Sequence, residues 1–159
     1  MFEFNSADKI LNRLTNGGAF LISGKSPNVM TISWGMTGVL WGQKIFLVPV
    51  RDSRYTKTKL DASDEFTVSV PFDKLGKELA FCGSHSGRNC NKFQETDLLT
   101  VKAKEVDTYV VNGCDYYYEC KVIAKIPITD EIAMKFTKLY QTRDFHTLYF
   151  GKVLTEYSK

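Results

Sequence analysis

The longest apolar run of the chain is Ile45-Phe46-Leu47-Val48-Pro49-Val50, which has the length of a β-strand and predicts one over Lys44–Val50. This run is far too short to span a membrane. Other segments on both sides carry β-branched or aromatic residues between turn-forming residues, and we predict strands there too. These strands are Ala19–Ser23, Val29–Trp34, Glu65–Val70, Leu99–Lys104, Tyr109–Val111, Tyr116–Ile126 and His146–Thr155. Their spacing favours a mainly β fold built on a closed antiparallel barrel.

Short segments of helical pattern separate these strands and predict helices over the ends of the barrel. The expected helices are Ser6–Leu14, Arg54–Ala62, Asp73–Phe81 and Glu131–Tyr140. Asn5 or Ser6 can cap the first of them. No internal repeat, low-complexity tract or linker interrupts the sequence, so we expect one domain over residues 1–159.

Composition and cysteine spacing argue against several function classes. A net charge of +3 is too small to argue for nucleic-acid binding on bulk electrostatics, although it suits an anionic small ligand. The four cysteines lack the paired spacing of a zinc site or a dithiol redox site, so we expect free, largely buried thiols and no metal. The N-terminal residues lack the layout of a secretory signal, so the expected location is the cytoplasm, without membrane contact.

The segment with the highest density of glycines, hydroxyl groups and cationic side chains is Cys82-Gly-Ser-His-Ser-Gly-Arg-Asn-Cys-Asn-Lys-Phe93. Its glycines let backbone N–H groups turn toward an anion, and the Ser84 and Ser86 hydroxyls can donate hydrogen bonds. Arg88 and Lys92 supply charged donors, so a phosphate would fit this loop. The alternative is an ordinary surface loop, because glycine and serine also collect in turns.

A second segment, Asn28–Gly38, predicts a strand that ends in a turn. Strand alternation puts Thr31 and Ser33 on one face and Trp34 on the other. The hydroxyls would meet a polar heterocycle, and the Gly-Met-Thr-Gly turn at Gly35–Gly38 would let a flat ligand approach the backbone. The alternatives are a half-exposed strand without a ligand and a tryptophan that anchors the core.

The third segment is Arg51-Asp52-Ser53-Arg54-Tyr55-Thr56, which leaves a predicted strand and enters a predicted helix. Asp52 or Ser53 can cap that helix, and arginines and hydroxyls at a helix N-terminus form an anion site. The alternative is that these residues only cap the helix, since every helix needs a cap.

These segments, in this order and followed by His146-x-x-x-x-Gly151-x-Val153, resemble the flavin reductase-like proteins, in particular the small flavoredoxin type. The other motifs that carry the resemblance are Asn28-x-Met30-Thr31-x-Ser33-Trp34, Arg51-x-Ser53-Arg54-Tyr55-Thr56 and Cys82-Gly83-x-x-Ser86-Gly87-Arg88-x-x-x-Lys92-Phe93. The resemblance covers about the whole chain. It implies an FMN-binding split β-barrel of Greek-key type with a few short flanking helices, and a homodimer with FMN near the subunit interface.

Carried over to this sequence, the resemblance assigns individual residues to FMN. Along the flavin ring it places Thr31, Ser33 and Trp34, with Met30 and Thr37 nearby. Around the ribityl phosphate it places Ser53, Arg54, Tyr55, Thr56, Ser84, Ser86, Gly87 and Lys92. His146 is the one candidate catalytic residue, able to meet a nicotinamide or the flavin. The family often has Asp before this histidine, whereas here Phe145 precedes it and Asp144 lies one residue further back.

The resemblance therefore implies an electron-transfer flavoprotein that takes hydride from NAD(P)H onto bound FMN and passes electrons to a small molecule or a redox partner protein. No G-x-G-x-x-G or Walker-type loop occurs, so a nicotinamide cofactor would bind transiently on the flavin. Two alternatives stay open: a reductase that releases free reduced flavin, and a non-enzymatic barrel that binds single-stranded nucleic acid or a protein. The tyrosines suit nucleic acid, but no interleaved basic stripe accompanies them.

Overall fold

The computed structural model describes residues 1–4 and 6–159. Nine strands and five α-helices lie within these residues: α1 (Ala7–Thr15), β1 (Ala19–Ser23), β2 (Asn28–Ile32), β3 (Met36–Leu40), β4 (Gln43–Arg51), α2 (Tyr55–Ser63), β5 (Glu65–Val70), α3 (Gly76–Ser84), α4 (Lys92–Glu95), β6 (Thr100–Lys102), β7 (Tyr109–Val111), β8 (Tyr116–Pro127), α5 (Asp130–Ala133) and β9 (His146–Ser158). A 3₁₀ helix, Met134–Phe136, follows α5. Asn5, one of the two predicted caps of α1, lies outside the described residues.

Seven of these strands form one antiparallel sheet in the order β2-β1-β5-β8-β9-β4-β3. The two edge strands, β2 and β3, are neighbours in the chain and are joined only by residues 33–35. The sheet therefore curls until its edges lie near each other. Side chains from six of its strands meet in one buried core, which includes Leu21, Met30, Phe46, Val68, Tyr118 and Tyr149. The fold is the mainly β, antiparallel split barrel with a few short helices that the resemblance implies. The closed barrel predicted from strand spacing is wrong, because no pairing joins β2 to β3 in the described sheet.

A second core covers the outer face of the β1–β2 side of the barrel. It joins Phe20 and Val29 of the sheet to Leu79 and Cys82 of α3 and to residues of the β6–β7 hairpin. The Thr31 hydroxyl donates to the Leu79 carbonyl at 2.6 Å and ties α3 to β2. This packing holds the end of α3, and the glycine-rich loop that follows it, beside β2.

The predicted turn at Gly35–Gly38 is wrong, because Met36, Thr37 and Gly38 are the first residues of strand β3. β3 pairs with β4 from Met36↔Leu47 to Leu40↔Gln43, and the reversal falls at Trp41–Gly42, both with positive φ. Pairing gives the backbone groups of this glycine-containing segment hydrogen-bond partners, which an isolated turn would leave to water.

The helix predicted over Glu131–Tyr140 is shorter than expected. It consists of α5 and the 3₁₀ helix, and the chain then runs irregularly to β9. The Arg51 guanidinium binds the carbonyl oxygen of Leu139, so this part of the segment is held by β4 and not by a further helical turn. The four-residue helix α4 was not predicted; the Asn91 side chain caps it by accepting from the Phe93 and Gln94 N–H groups.

All four cysteines are free thiols, and Cys82, Cys114 and Cys120 are buried, as expected. Among the described residues, no helix combines the length and the apolar character needed to cross a membrane.

Candidate functional site

The glycine-rich loop after α3, strand β2 and the start of α2 meet at one end of the barrel. Asn28 on β2 donates from Nδ2 to the Thr56 hydroxyl of α2 at 2.7 Å. Gly87 of the loop lies against both elements, because a Cβ atom there would stand 1.9 Å from Asn28 Oδ1 and 2.8 Å from Tyr55 Cδ1. Gly87 is thus required by close backbone approach, and its contact joins the loop to the start of α2.

Two arginines cross-link the loop and α2. Arg88 donates from Nη1 to the Ser53 carbonyl at 2.7 Å, and Arg54 donates from Nη1 to the Gly83 carbonyl at 3.3 Å. A guanidinium has five N–H donors. These are the only polar contacts of either guanidinium with the described residues, so most of their donors remain free for an anion. Both side chains are exposed beside the N-terminus of α2, which adds the positive end of the helix dipole.

A cavity of about 230 Å³ opens beside these arginines and mixes apolar walls with hydrogen-bonding groups. Its lining residues are Met30, Thr31, Ile32, Ser33, Trp34, Pro49, Arg51, Arg54, Leu139 and His146. The structure therefore brings together, around one cavity, six residues that the resemblance assigns to the site: Met30, Thr31, Ser33, Trp34, Arg54 and His146. Trp34 does not anchor the core, because it is 46% exposed. Its ring lies 5.2 Å from that of His146.

A second, polar cavity of about 390 Å³ lies on the loop side of Tyr55. Tyr55, Gly87 and Lys92 line it, together with Lys59 and Arg88 among others. Lys59 and Arg88 both contact the Tyr55 ring, at 5.1 and 5.3 Å from its centroid. Arg54 lines the first cavity and its neighbour Tyr55 lines the second, so both cavities reach the start of α2.

Several predicted site residues have other contacts in the structure. Thr37 lies on β3 directly opposite the buried Phe46, so its side chain shares the core-facing side of the sheet and is absent from the first cavity. Thr56 is buried beneath Asn28. Ser84 and Ser86 remain on the loop side, where Ser84 donates to the Ala80 carbonyl and Ser86 accepts from the Arg88 N–H.

Ser53 binds a carboxylate of the chain itself. Its N–H and its hydroxyl donate to the two Asp144 oxygens at 3.0 and 2.6 Å. The predicted side-chain capping of α2 by Asp52 or Ser53 is wrong, since the N-cap is Arg54, which makes no capping hydrogen bond through its side chain. Asp144 thus ties the segment before β9 to the residue that precedes α2.

Lys92 is buried beneath the loop and is only 4% exposed. Its ammonium donates to the Val29 carbonyl at 2.9 Å and to the Cys82 carbonyl at 2.8 Å. Burial lowers the pKa of this ammonium. The sequence assigned Lys92 to a phosphate, whereas two of its three N–H donors hold the end of α3 against β2.

His146 opens β9 opposite Arg51 and is held by the segment before it. Its Nδ1 lies 2.9 Å from the Tyr140 hydroxyl, and Arg51 donates to the carbonyls of Asp144 and Leu139 at 2.6 and 3.2 Å. Burial and the nearby Arg51 charge lower the pKa of His146 to about 4, so the ring is neutral at pH 7. The sequence motifs included Arg51 only as part of an anion site, and they did not indicate Leu139 or Tyr140. The β4–β9 register places Arg51 opposite His146, and Arg51 in turn binds the Leu139 carbonyl.

Comparisons with known proteins agree with this architecture. The sequence profile of the flavin reductase like domain matches residues 11–157. Flavoredoxin from Desulfovibrio vulgaris (Miyazaki F) is 20% identical with a TM-score of 0.71, covering 89% of this chain and 69% of that one. The FMN-binding protein from Thermus thermophilus with bound 1-cyclohex-2-enone is 19% identical with a TM-score of 0.68, covering 89% and 69% respectively. The NADH:FAD oxidoreductase SgcE6 from Streptomyces globisporus C-1027 is 19% identical with a TM-score of 0.71, covering 100% and 87%.

At these identities the solved structures show a shared fold, and the profile covers nearly the whole chain. The chain belongs to the flavin reductase-like domain family.

Proposed function

We propose that this protein binds FMN and works in electron transfer, accepting hydride from NAD(P)H and delivering electrons to a small-molecule or protein acceptor. The main supporting observation is that a cavity lined by Trp34 opens beside the guanidinium groups of Arg54 and Arg88. Most N–H donors of these two groups have no partner among the described residues. Such a pair of neighbouring sites suits a flat heterocycle attached to a phosphate.

The donor set fits the phosphate end of FMN. Arg54 and Arg88 supply charged donors. Ser84, at the end of α3 where the glycine-rich loop begins, is also exposed. Arginine forks match phosphate geometry and make charge-assisted hydrogen bonds. Lys92 would support this site from below, by holding the end of α3 in place through its two carbonyl contacts.

The cavity fits the ring end. Met30, Ile32 and Pro49 provide apolar surface, while Trp34 and His146 form one aromatic side. FMN, when bound, supplies the hydride-accepting chemistry. The protein would orient the ring, exclude water from one face and leave the other face open for a nicotinamide. Hydride transfer needs close stacking and no acid or base residue, so the lack of a catalytic triad does not oppose this function.

Anaerobic reduction of the FMN-loaded protein tests the proposal. We expect NADH or NADPH to bleach the visible flavin band much faster than it bleaches the same concentration of free FMN. Equal rates would contradict an oxidoreductase function. Gel filtration after reduction separates the two open alternatives, because an electron-transfer protein keeps its flavin and a reductase that supplies free reduced flavin loses it.

We further propose that two copies assemble through the β3 edge. β3 leaves one side of its backbone unpaired within the described sheet and exposes Met36, Val39, Leu40 and Trp41 nearby. Exposed apolar edge strands favour pairing with another chain. Residues 33–35 connect β3 directly to the cavity, and its volume of about 230 Å³ is smaller than most ligand pockets. A partner at this edge would therefore lie beside the flavin ring and could cover it.

Light scattering on a charge-introducing variant tests this assembly. The wild-type protein should have twice the monomer mass of 18.1 kDa. Val39→Glu places a charge on a side chain that is 52% exposed at this edge, and it should shift the mass to that of the monomer. Leu99→Glu, at a side chain 70% exposed on the β6–β7 side, is the matched control and should not. A monomeric wild type with FMN bound would refute the dimer.

A further inference from the structure

Tyr140 and His146 form a contact whose chemistry neither the family profile nor the sequence motifs specify. The Tyr140 oxygen lies 2.9 Å from His146 Nδ1, and the two rings meet edge to face with centroids 5.6 Å apart. His146 also lines the cavity beside Trp34. Tyr140 therefore contacts the imidazole through the nitrogen that is bound within the protein.

The direction of this hydrogen bond follows from the two groups. A phenol O–H is a stronger donor than a neutral imidazole N–H, and an imidazole nitrogen is a stronger acceptor than a phenol oxygen. The Tyr140 hydroxyl has no other polar contact with residues 1–4 and 6–159. The favourable arrangement is thus Tyr140 O–H donating to Nδ1. A neutral histidine with Nδ1 as acceptor carries its proton on Nε2.

The surroundings of the pair oppose the other protonation states. Arg51 lies opposite His146 in the β4–β9 register, and its guanidinium carbon stands 5.6 Å from the centre of the Tyr140 ring. Burial and the charge of Arg51 are the strongest influences on the pKa of His146, and both lower it. Asp144 and Asp52 raise this pKa, but more weakly, so a second proton on the imidazole is disfavoured. The imidazole is therefore held neutral with its Nε2 edge free of protein partners in the described part of the chain.

We propose that Tyr140 is a positioning residue that fixes the Nε2–H tautomer of His146, so that the imidazole offers a neutral N–H donor to a carbonyl oxygen of a planar ring in the cavity. The cavity supports this ligand class, since its apolar walls are combined with hydrogen-bonding side chains in a small volume. Carbonyl oxygens of this kind occur on a flavin, on a nicotinamide carboxamide and on a quinone or enone acceptor. This inference relies on the proposed function only for the identity of the ring.

Nitrogen NMR of the cofactor-free protein tests the tautomer without any flavin. The chain has only His85 and His146, so a His85→Gln variant assigns the signals. We expect His146 at pH 7 to show a protonated Nε2 and an unprotonated Nδ1. Tyr140→Phe should give a mixture of both tautomers, whereas Tyr109→Phe, which removes a hydroxyl on the β6–β7 hairpin, should leave His146 unchanged. A wild-type signal with the proton on Nδ1 overturns the inference, and it does so even if Tyr140→Phe fails to fold.

Ligand titrations then identify the ring. FMN is added first, followed by nicotinamide mononucleotide or cyclohexenone, and the ligand that binds Nε2–H should shift its proton resonance. Tyr140→Phe should weaken binding of that ligand by the inverse of the fraction of His146 that keeps its proton on Nε2, which is about twofold for an equal mixture of tautomers. If no planar carbonyl compound shifts the resonance, the donor role is wrong. If FMN does not bind but cyclohexenone shifts the signal, the proposed function fails while the role of Tyr140 stands.

Discussion

Replacing Arg54 and Arg88 together by alanine should raise the dissociation constant of FMN by about 10²- to 10⁴-fold. Each guanidinium would lose a charge-assisted hydrogen bond to the phosphate, worth roughly 1.5 to 3 kcal/mol, and about 1.4 kcal/mol corresponds to a factor of ten. Both side chains are exposed, and each donates one hydrogen bond, to the Gly83 or the Ser53 carbonyl; Arg88 also contacts the Tyr55 ring. The fold should therefore survive. Titration of FMN fluorescence measures the change.

The matched control is the double variant Lys9→Ala and Lys77→Ala. It removes the same charge from exposed positions on α1 and α3, away from the two arginines. General electrostatic attraction of an anion would weaken equally in both double variants. A specific phosphate site weakens only when the arginines are lost. If the arginine double variant is folded and binds FMN as tightly as the wild type, the phosphate does not bind there.

Lys92→Met should destabilise the fold by about 2 to 4 kcal/mol. The change leaves the Val29 and Cys82 carbonyls without their donor in a buried place, and each unpaired group costs roughly 1 to 3 kcal/mol. The methionine recovers part of this loss because an apolar side chain has no charge to desolvate. Urea unfolding followed by circular dichroism measures the free energy of unfolding.

Lys59→Met serves as the comparison for Lys92. Lys59 is half-buried near the same loop, and its ammonium contacts only the face of the Tyr55 ring in the described structure, at 5.1 Å from the centroid. Its loss should change the free energy of unfolding by less than about 0.5 kcal/mol. A Lys92→Met protein as stable as the wild type, but unable to bind FMN, would instead support the phosphate contact predicted from the sequence.

The strands were largely predictable because their signal is local. Alternating and β-branched segments such as Tyr116–Ile126 gave strands within a few residues of those observed, here β8. Strand β3 was not predicted because Gly35 and Gly38, just before it and within it, are typical of turns, and only pairing with β4 makes this segment extended. The helix predicted at Glu131–Tyr140 ended early for a related reason, a tertiary contact from Arg51. Local patterns cannot report such contacts.

The candidate site, like the fold, was only partly predictable from local sequence patterns. Motif residues such as Trp34 and Arg54 came together because neighbouring strands and helices bring whole segments to one end of the barrel. The burial of Lys92 depends on how closely α3 packs on β2, which no local pattern encodes. Gly151 is similar, since a Cβ there would lie 2.4 Å from Phe66 Cζ, a residue distant in sequence. The sequence motif includes Gly151, and its close packing against Phe66 explains why a glycine stands at this position.

The most direct test of the central claim is a binding titration of cofactor-free protein with FMN, followed by difference absorbance in the visible region. We expect saturable binding with one FMN per chain, a perturbed flavin spectrum from contact with Trp34 and His146, and competition by inorganic phosphate. We also expect that riboflavin, which lacks the phosphate, binds at least about tenfold more weakly, because the charge-assisted contacts are lost. A flavin spectrum that stays that of free FMN at saturating protein would contradict this claim.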